Sequence, residues 1–252
     1  MPTASLAPVA DEIARTLAAL DVAALRATYL AQNEFVYVER FFPESVVGPM
    51  IEEVRRLRGA INRNYIPRHK KGGSVSYYTL REQAPAILTL YRSAAFLAFL
   101  RTVTGAPAAD SCPETDPHAC ALYYYTEPGD HIGFHFDTSY YKGTRYTVLL
   151  GLVERSSSRL VCHTHKDDPS RNREVALATE PGTLVLFNGD KLWHKITPLG
   201  DDEERVSLTL EYVTDARMTP AKRFISNMKD AVAYFGFRSV FGRRDSAAPT
   251  TT

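Results

Sequence analysis

The stretch Tyr123-Tyr-Tyr-Thr-Glu-Pro-Gly-Asp-His-Ile-Gly-Phe-His135-Phe-Asp137 sets a histidine and an aspartate two residues apart, after a Pro-Gly turn and at the start of an apolar run. On an extended strand, residues i and i+2 point to one face, so His135 and Asp137 can reach one metal ion. His194 is the candidate third ligand. It ends Gly182-Thr-Leu-Val-Leu-Phe-Asn-Gly-Asp-Lys-Leu-Trp-His194, which reads as a strand and a tight turn. A His-x-Asp pair alone also arises by chance, as a hydrogen-bonded histidine beside a surface aspartate. The residues C-terminal to His194 decide between the two.

Eleven residues on stands Arg205-Val-Ser207-Leu-Thr-Leu-Glu-Tyr. It alternates, with Arg205, Ser207, Thr209 and Glu211 on one face and Val206, Leu208 and Leu210 on the other. One row of a strand in a β core should be apolar, and the second row here is polar from end to end. A guanidinium grips a carboxylate through two parallel charge-assisted hydrogen bonds, and a hydroxyl can add a third. Two imidazoles and a carboxylate on one face form the triad that non-haem Fe(II) uses with open positions for further ligands.

His-x-Asp, a distal His after a Gly-x-Leu-Val-Leu-Phe strand, then Arg-x-Ser: this pattern, over roughly Leu122 to Val213, resembles the Fe(II)/2-oxoglutarate-dependent oxygenases. The resemblance implies an α+β fold with a mainly β core, a double-stranded β-helix (a jelly roll, cupin-like) braced by N-terminal helices and a C-terminal helix. It implies Fe(II) on His135, Asp137 and His194, with 2-oxoglutarate and O2 as cosubstrates. The 2-oxoglutarate would chelate iron through its 1-carboxylate and 2-keto oxygen, and its distal carboxylate would meet Arg205 and Ser207. Tyr123 and Tyr125 share a strand face, and one of them is placed to hydrogen-bond the cosubstrate. Thr209 is a candidate to lie near the iron and substrate. Radical halogenases of this group carry Gly or Ala where Asp137 stands, so the resemblance implies hydroxylation.

The chain has 252 residues and a net charge of +1. That size fits one domain over 1–244, with a helical part over about 1–105, the jelly-roll core over about 121–213, a final helix over about 219–235 and a tail over 245–252. A near-neutral charge argues against nucleic acid as the main partner. Cys112, Cys120 and Cys162 imply no disulfide framework. A reducing cytoplasm suits free thiols and Fe(II). No apolar run is long enough to span a bilayer, so no membrane partner is expected. The helical surround can serve as a brace or as a homo-oligomer interface.

Apolar spacing predicts a helix over about Ala10–Leu30, a strand at Phe35, a second helix from Pro43 to about Ile61 and a third over Pro85–Thr104. Ser74-Val-Ser-Tyr-Tyr-Thr reads as a strand and Ala106–His118 as a loop. Cys162-His163-Thr-His165 imitates a metal cluster but runs into a polar loop, so it reads as a strand end. His118-Ala-Cys120 lacks a third partner and reads as structure.

A closer likeness covers 129–152 and Tyr65-Ile-Pro-Arg-His-Lys-Lys-Gly-Gly-Ser-Val-Ser76. Both stretches resemble the free-lysine radical halogenases and their hydroxylating relatives, which implies a small-molecule amino-acid substrate, lysine first. A zwitterion wants an arginine for its carboxylate and carboxylates for its amines. The candidates are Arg68 in its Gly-bounded loop, Glu114 before the metal strand, and His131 near the ligands. Three alternatives stand beside this: a peptide or natural-product hydroxylase of the same superfamily, a non-enzymatic jelly-roll metal-binding module, and a zinc hydrolase. The last two leave Arg205-x-Ser207 unexplained.

Overall fold

The structure is a computed structural model that describes residues 6–219. The final helix and tail expected from the sequence fall at 220 and beyond, outside the described residues. The strands are β1 (Phe35–Val38), β2 (Asn62–Ile66), β3 (Lys70–Val75), β4 (Asp110–Ser111), β5 (Cys120–Tyr125), β6 (His131–His135), β7 (Arg145–Arg155), β8 (Leu160–Thr164), β9 (Arg173–Leu177), β10 (Leu184–Asn188), β11 (Trp193–Ile196) and β12 (Glu204–Val213). They pair in the order β1-β10-β7-β12-β5-β3-β6-β11-β8-β9, with β2 on β3 and β4 on β12. β3 pairs with β5 and with β6, and so joins a larger half of the sheet to a smaller one. The sheet curls, and residues from β5, β7 and β12 face residues from β6, β8 and β11 across one cavity. This is the expected jelly roll.

The helices are α1 (Ala7–Ala18), α2 (Val22–Ala31), α3 (Glu44–Arg56), α4 (Tyr77–Gln83), α5 (Pro85–Tyr91) and α6 (Ala94–Thr104). Several expected elements differ, among them the stretch read as a loop over Ala106–His118, which contains the short strand β4, and the second helix, whose α-helical part ends at Arg56. The first helix is two, because Asp21 caps α2 by accepting the Ala24 N–H at 2.9 Å. The helix over 85–104 is also two, bent by 41° where Ser93 accepts the Phe96 N–H at 3.2 Å. The strand expected over 74–79 stops at Val75, and α4 begins at Tyr77. Among the described residues no single helix is long and apolar enough to cross a membrane.

Two apolar clusters fix the sheet. Val206, Leu208, Leu210 and Tyr212 of β12 pack with Val148 and Leu150 of β7 against Val54, Phe96 and Leu100 of the helices. Each such side chain stabilises by about 1.5–3 kcal/mol on burial. A one-residue slip of β12 would put this row into the cavity, so the apolar row sets the register that aims Arg205, Ser207, Thr209 and Glu211 inward. A second cluster, with Tyr125, Ile132, Leu160, Phe187 and Ile196, fills the inside of the curl beside the cavity.

Candidate active site

His135, Asp137 and His194 offer ligand atoms that all lie within 4.8 Å of one another. Among the described residues this is the one such group of His, Cys and acidic side chains. His135 and His194 pair directly across β6 and β11, with ring centroids 4.3 Å apart. Each donates its Nδ1–H to a carbonyl two residues back: His135 to Gly133 at 2.8 Å, His194 to Leu192 at 3.1 Å. That fixes the tautomer and leaves both Nε2 lone pairs for a metal. The His135 Nε2 lies 3.4 Å from Asp137 Oδ1, and the His194 Nε2 lies 3.9 Å from Oδ2. Burial, with His135 beside it, lowers the His194 imidazole to about 4, so it is neutral near pH 7. Burial would raise the Asp137 carboxyl, but His194, His135 and Arg145 hold it well below the usual range.

Simple strand parity does not deliver this geometry. β6 carries a bulge: β11 runs from His194 to Ile196 while β6 runs from His135 to Ile132. His135 and Ile132 therefore both face the cavity, whereas His131, on the same parity as His135, does not line it. Asp137 lies beyond the end of β6. Thr147 of β7 donates to its Oδ2 at 3.1 Å. Gly189 lets its backbone come close, for a Cβ there would sit 2.4 Å from the Asp137 carbonyl oxygen.

Ser207, Thr209 and Glu211 line the cavity, with Tyr123 and Tyr125 of β5 opposite them. Tyr125 pairs with Arg205, and Tyr123 with Ser207, in register. Arg205 is fully buried and does not itself line the cavity. Its Nη1 lies 3.2 Å from Glu154 Oε2 and donates to the Ser158 carbonyl at 3.3 Å, while its Nε is buried without a partner. Burial pulls the guanidinium below its ordinary value, and Glu154 counters that. A buried orphan donor two residues along the strand from a cavity-lining hydroxyl is one that a carboxylate ligand would satisfy.

The other end is also charged; the sequence placed Glu211 on this face but did not mark its partner Arg145. Arg145 of β7 donates from Nε to Glu211 at 2.7 Å, and Thr147 lies 3.0 Å from the same oxygen. Burial raises the Glu211 carboxyl to about 7, against the pull of Arg145. Asp116 and His118 line the wall from the loop before β5. Asp116 accepts the Tyr141 hydroxyl at 2.7 Å, and His118 Nδ1 lies 2.9 Å from the Tyr123 hydroxyl. His118, read from sequence as structural, is a cavity residue.

Three sequence candidates lie elsewhere. Glu114 is exposed and pairs with Arg81 and Arg92 at 3.2 and 2.9 Å. The Arg68 side chain is exposed at the tip of the β2–β3 hairpin. That hairpin does reach the metal strand, but through backbone, as the Gly133 N–H donates to the His69 carbonyl at 2.6 Å. His131 turns away at the bulge and bonds the Gly129 carbonyl at 2.8 Å. Of the decoys, His163 lies 3.3 Å from Glu174; Trp193, next to the distal histidine, stacks on Phe134 on the sheet's other face.

No protein-family model matches this sequence, and no curated protein matches it. Solved structures do resemble its fold. The non-haem alpha-ketoglutarate-dependent epimerase SnoN from nogalamycin biosynthesis aligns with a TM-score of 0.63 and 15% identity over 76% of this chain and 80% of that one. A Pseudomonas putida prolyl-4-hydroxylase aligns with a TM-score of 0.59 and 19% identity, over 78% of this chain and 99% of that one. EctD from S. alaskensis, solved with 2-oxoglutarate and 5-hydroxyectoine, has a TM-score of 0.59 and 16% identity over 76% and 75%. At these identities the likeness is one of fold.

Proposed function

We propose that the protein is an Fe(II)/2-oxoglutarate-dependent oxygenase that hydroxylates an unactivated C–H bond of a small polar molecule. The observation that carries this reading is the His135, Asp137 and His194 group in a cavity that Tyr125 and Ser207 also line, with the buried, partnerless Nε of Arg205, the cross-strand partner of Tyr125, behind them. A metal-binding module has no use for the second feature, and neither has a zinc hydrolase. The fold likeness to proteins described as alpha-ketoglutarate-dependent or as a prolyl hydroxylase supports it.

Iron with 2-oxoglutarate and O2 supplies the oxidant, converting C–H to C–OH as 2-oxoglutarate becomes succinate and CO2. The chain's own work is placement. The Nε2 atoms of His135 and His194 and the Asp137 carboxylate hold the metal. Thr147 fixes the carboxylate's orientation. Arg205 and Ser207 take the distal carboxylate of the cosubstrate, with Tyr125 beside them. Ile132, Leu149, Leu160 and Ile196 wall the cavity with apolar surface and keep water out. The substrate is left the end formed by Asp116, Tyr141, Arg145 and Glu211.

Acidic and basic groups together suit a substrate carrying both charges, and a free amino acid, L-lysine first, is the substrate we propose. Asp116 takes over the role that Glu114 was expected to fill, and Arg145 that of Arg68. The test is anaerobic loading with Fe(II) and 2-oxoglutarate, then air, with a pool of amino acids, read by mass spectrometry. Succinate matched by lysine plus one oxygen is the expected result. Succinate without a hydroxylated amino acid would discard the substrate, and no succinate with any candidate would discard the oxygenase.

A further inference from the structure

β7 contains a second bulge, and it has a chemical consequence. Ser207 pairs with Gly151 and Val206 with Val153, so Leu152 is extra on β7. Leu152 and Val153 both turn to the apolar cluster under the helices. Glu154 is thereby rotated onto the face of Arg205, its direct cross-strand partner. The bulge is locked in place. Gly151 exchanges backbone hydrogen bonds with the turn before β10, and a Cβ on it would sit 2.1 Å from the Thr179 carbonyl oxygen.

The Glu154 carboxylate is 2% exposed. It accepts from the Ser156 hydroxyl at 2.5 Å and from the Thr179 N–H at 3.3 Å, besides facing Arg205 Nη1. It therefore engages the guanidinium at one nitrogen and leaves Nε unpartnered. A buried carboxylate has been built in beside the group that is to bind a ligand's carboxylate.

We propose that Glu154 is the internal counter-ion of Arg205: it holds the guanidinium by Nη1, presents the Nε edge to the cosubstrate's distal carboxylate, and moderates cosubstrate affinity by sharing the positive charge. This rests on the proposed cosubstrate reading. Without Glu154 a fully buried cation would stand unpaired in the empty protein. With it the empty site is stable, and an incoming carboxylate meets a partly neutralised arginine.

The variant is Glu154→Gln, which keeps the shape and an acceptor but removes the charge. Anaerobic calorimetry with Fe(II)-loaded protein and 2-oxoglutarate reads the Kd, and thermal melting with and without 2-oxoglutarate reads the ligand-induced shift. The expected Kd falls on the order of tenfold or more, the scale of a desolvated like-charge contact at effective protein dielectric. The unliganded melting temperature falls, and the 2-oxoglutarate-induced shift grows. A purely structural glutamate would lower the melting temperature and leave that shift unchanged or smaller, which overturns the proposal, as does an unchanged or weaker Kd. If Glu154→Gln is too unstable to titrate, it is refolded with and without 2-oxoglutarate. Recovery of folded protein only with the cosubstrate supports the counter-ion role, and equal failure refutes it. Wild-type protein that binds Fe(II) but not 2-oxoglutarate removes the cosubstrate reading itself, a result distinct from either.

Discussion

Arg205→Ala separates the metal from the cosubstrate. The hydrogen bond and ion pair of Arg205 run to Ser158 and Glu154, and neither reaches His135, Asp137 or His194. Fe(II) affinity should therefore hold. Truncating one partner of a buried charge pair costs about 2–5 kcal/mol in binding. Glu154 already offsets part of the arginine's charge, so the lower half of that range applies, and at about 1.4 kcal/mol per decade the Kd for 2-oxoglutarate should rise roughly 30- to 300-fold. Stability must fall as well. Glu154 is left buried without its cation, at a cost of about 3–5 kcal/mol. For a chain of this size that lowers Tm by roughly 6–20 °C. The assay is anaerobic calorimetry, first with Fe(II) and then with 2-oxoglutarate, at a temperature where circular dichroism shows the variant folded. An unchanged 2-oxoglutarate Kd in folded Arg205→Ala would refute the assignment. A joint loss of Fe(II) and 2-oxoglutarate binding would show that Arg205 acts through the fold.

His194→Ala removes one of three metal donors, and Fe(II) titration should show binding lost, with no succinate formed on aeration. Asp116→Asn keeps the Tyr141 contact but loses the charge. If Asp116 receives a substrate ammonium, a bond to a charged group worth about 1.5–3 kcal/mol, KM for that substrate should rise roughly tenfold to a hundredfold with the 2-oxoglutarate Kd unchanged. Steady-state kinetics decides, and an unchanged KM removes Asp116 from the subsite. Far from the cavity, the buried Glu53 carboxylate accepts the N–H groups of Ala86 and Ile87, at 2.7 and 3.0 Å, at the start of α5. Ala84 before that helix offers no capping side chain. Glu53→Ala strands two buried donors at about 1–3 kcal/mol each and should lower the melting temperature steeply, with Glu53→Gln losing less. Equal melting of wild type and Glu53→Ala would refute this.

The fold was legible where one physical rule acts alone. The polar and apolar rows of β12 alternate with period two, and the structure splits them between the cavity and the helices. Helix lengths were less legible, because the apolar stripe continues through the breaks. Asp21 and Ser93 end one helix and begin the next through a single side-chain hydrogen bond each, and neither changes the periodicity. The strand expected over 74–79 failed for a related reason: Ser76-Tyr-Tyr-Thr has strand-forming residues, but Tyr77 and Leu80 are buried a helical turn apart.

The sequence candidates that line the cavity from strands without an extra residue are Tyr123 and Tyr125, Ser207 and Thr209, and His194. One misplacement follows a bulge: parity puts His131 with His135, and one extra residue in β6 separates them, while one extra residue in β7 brings Glu154 onto the face of Arg205. A signal was present. Gly133 and Gly151 are isolated glycines inside strand patterns, and such a glycine marks a bulge or a close backbone approach more often than a weak spot. Both stand at the irregularities. Arg145, Asp116 and His118 could not be found this way. Arg145 opens a strand eight residues after Asp137, and Asp116 and His118 sit in a loop that no period governs, so only the curl of the sheet brings them to the His135, Asp137 and His194 group. The metal-ligand candidates on the strands were thus legible from the sequence, while the charged groups at the far end of the cavity, which come from a loop and a strand end, were not.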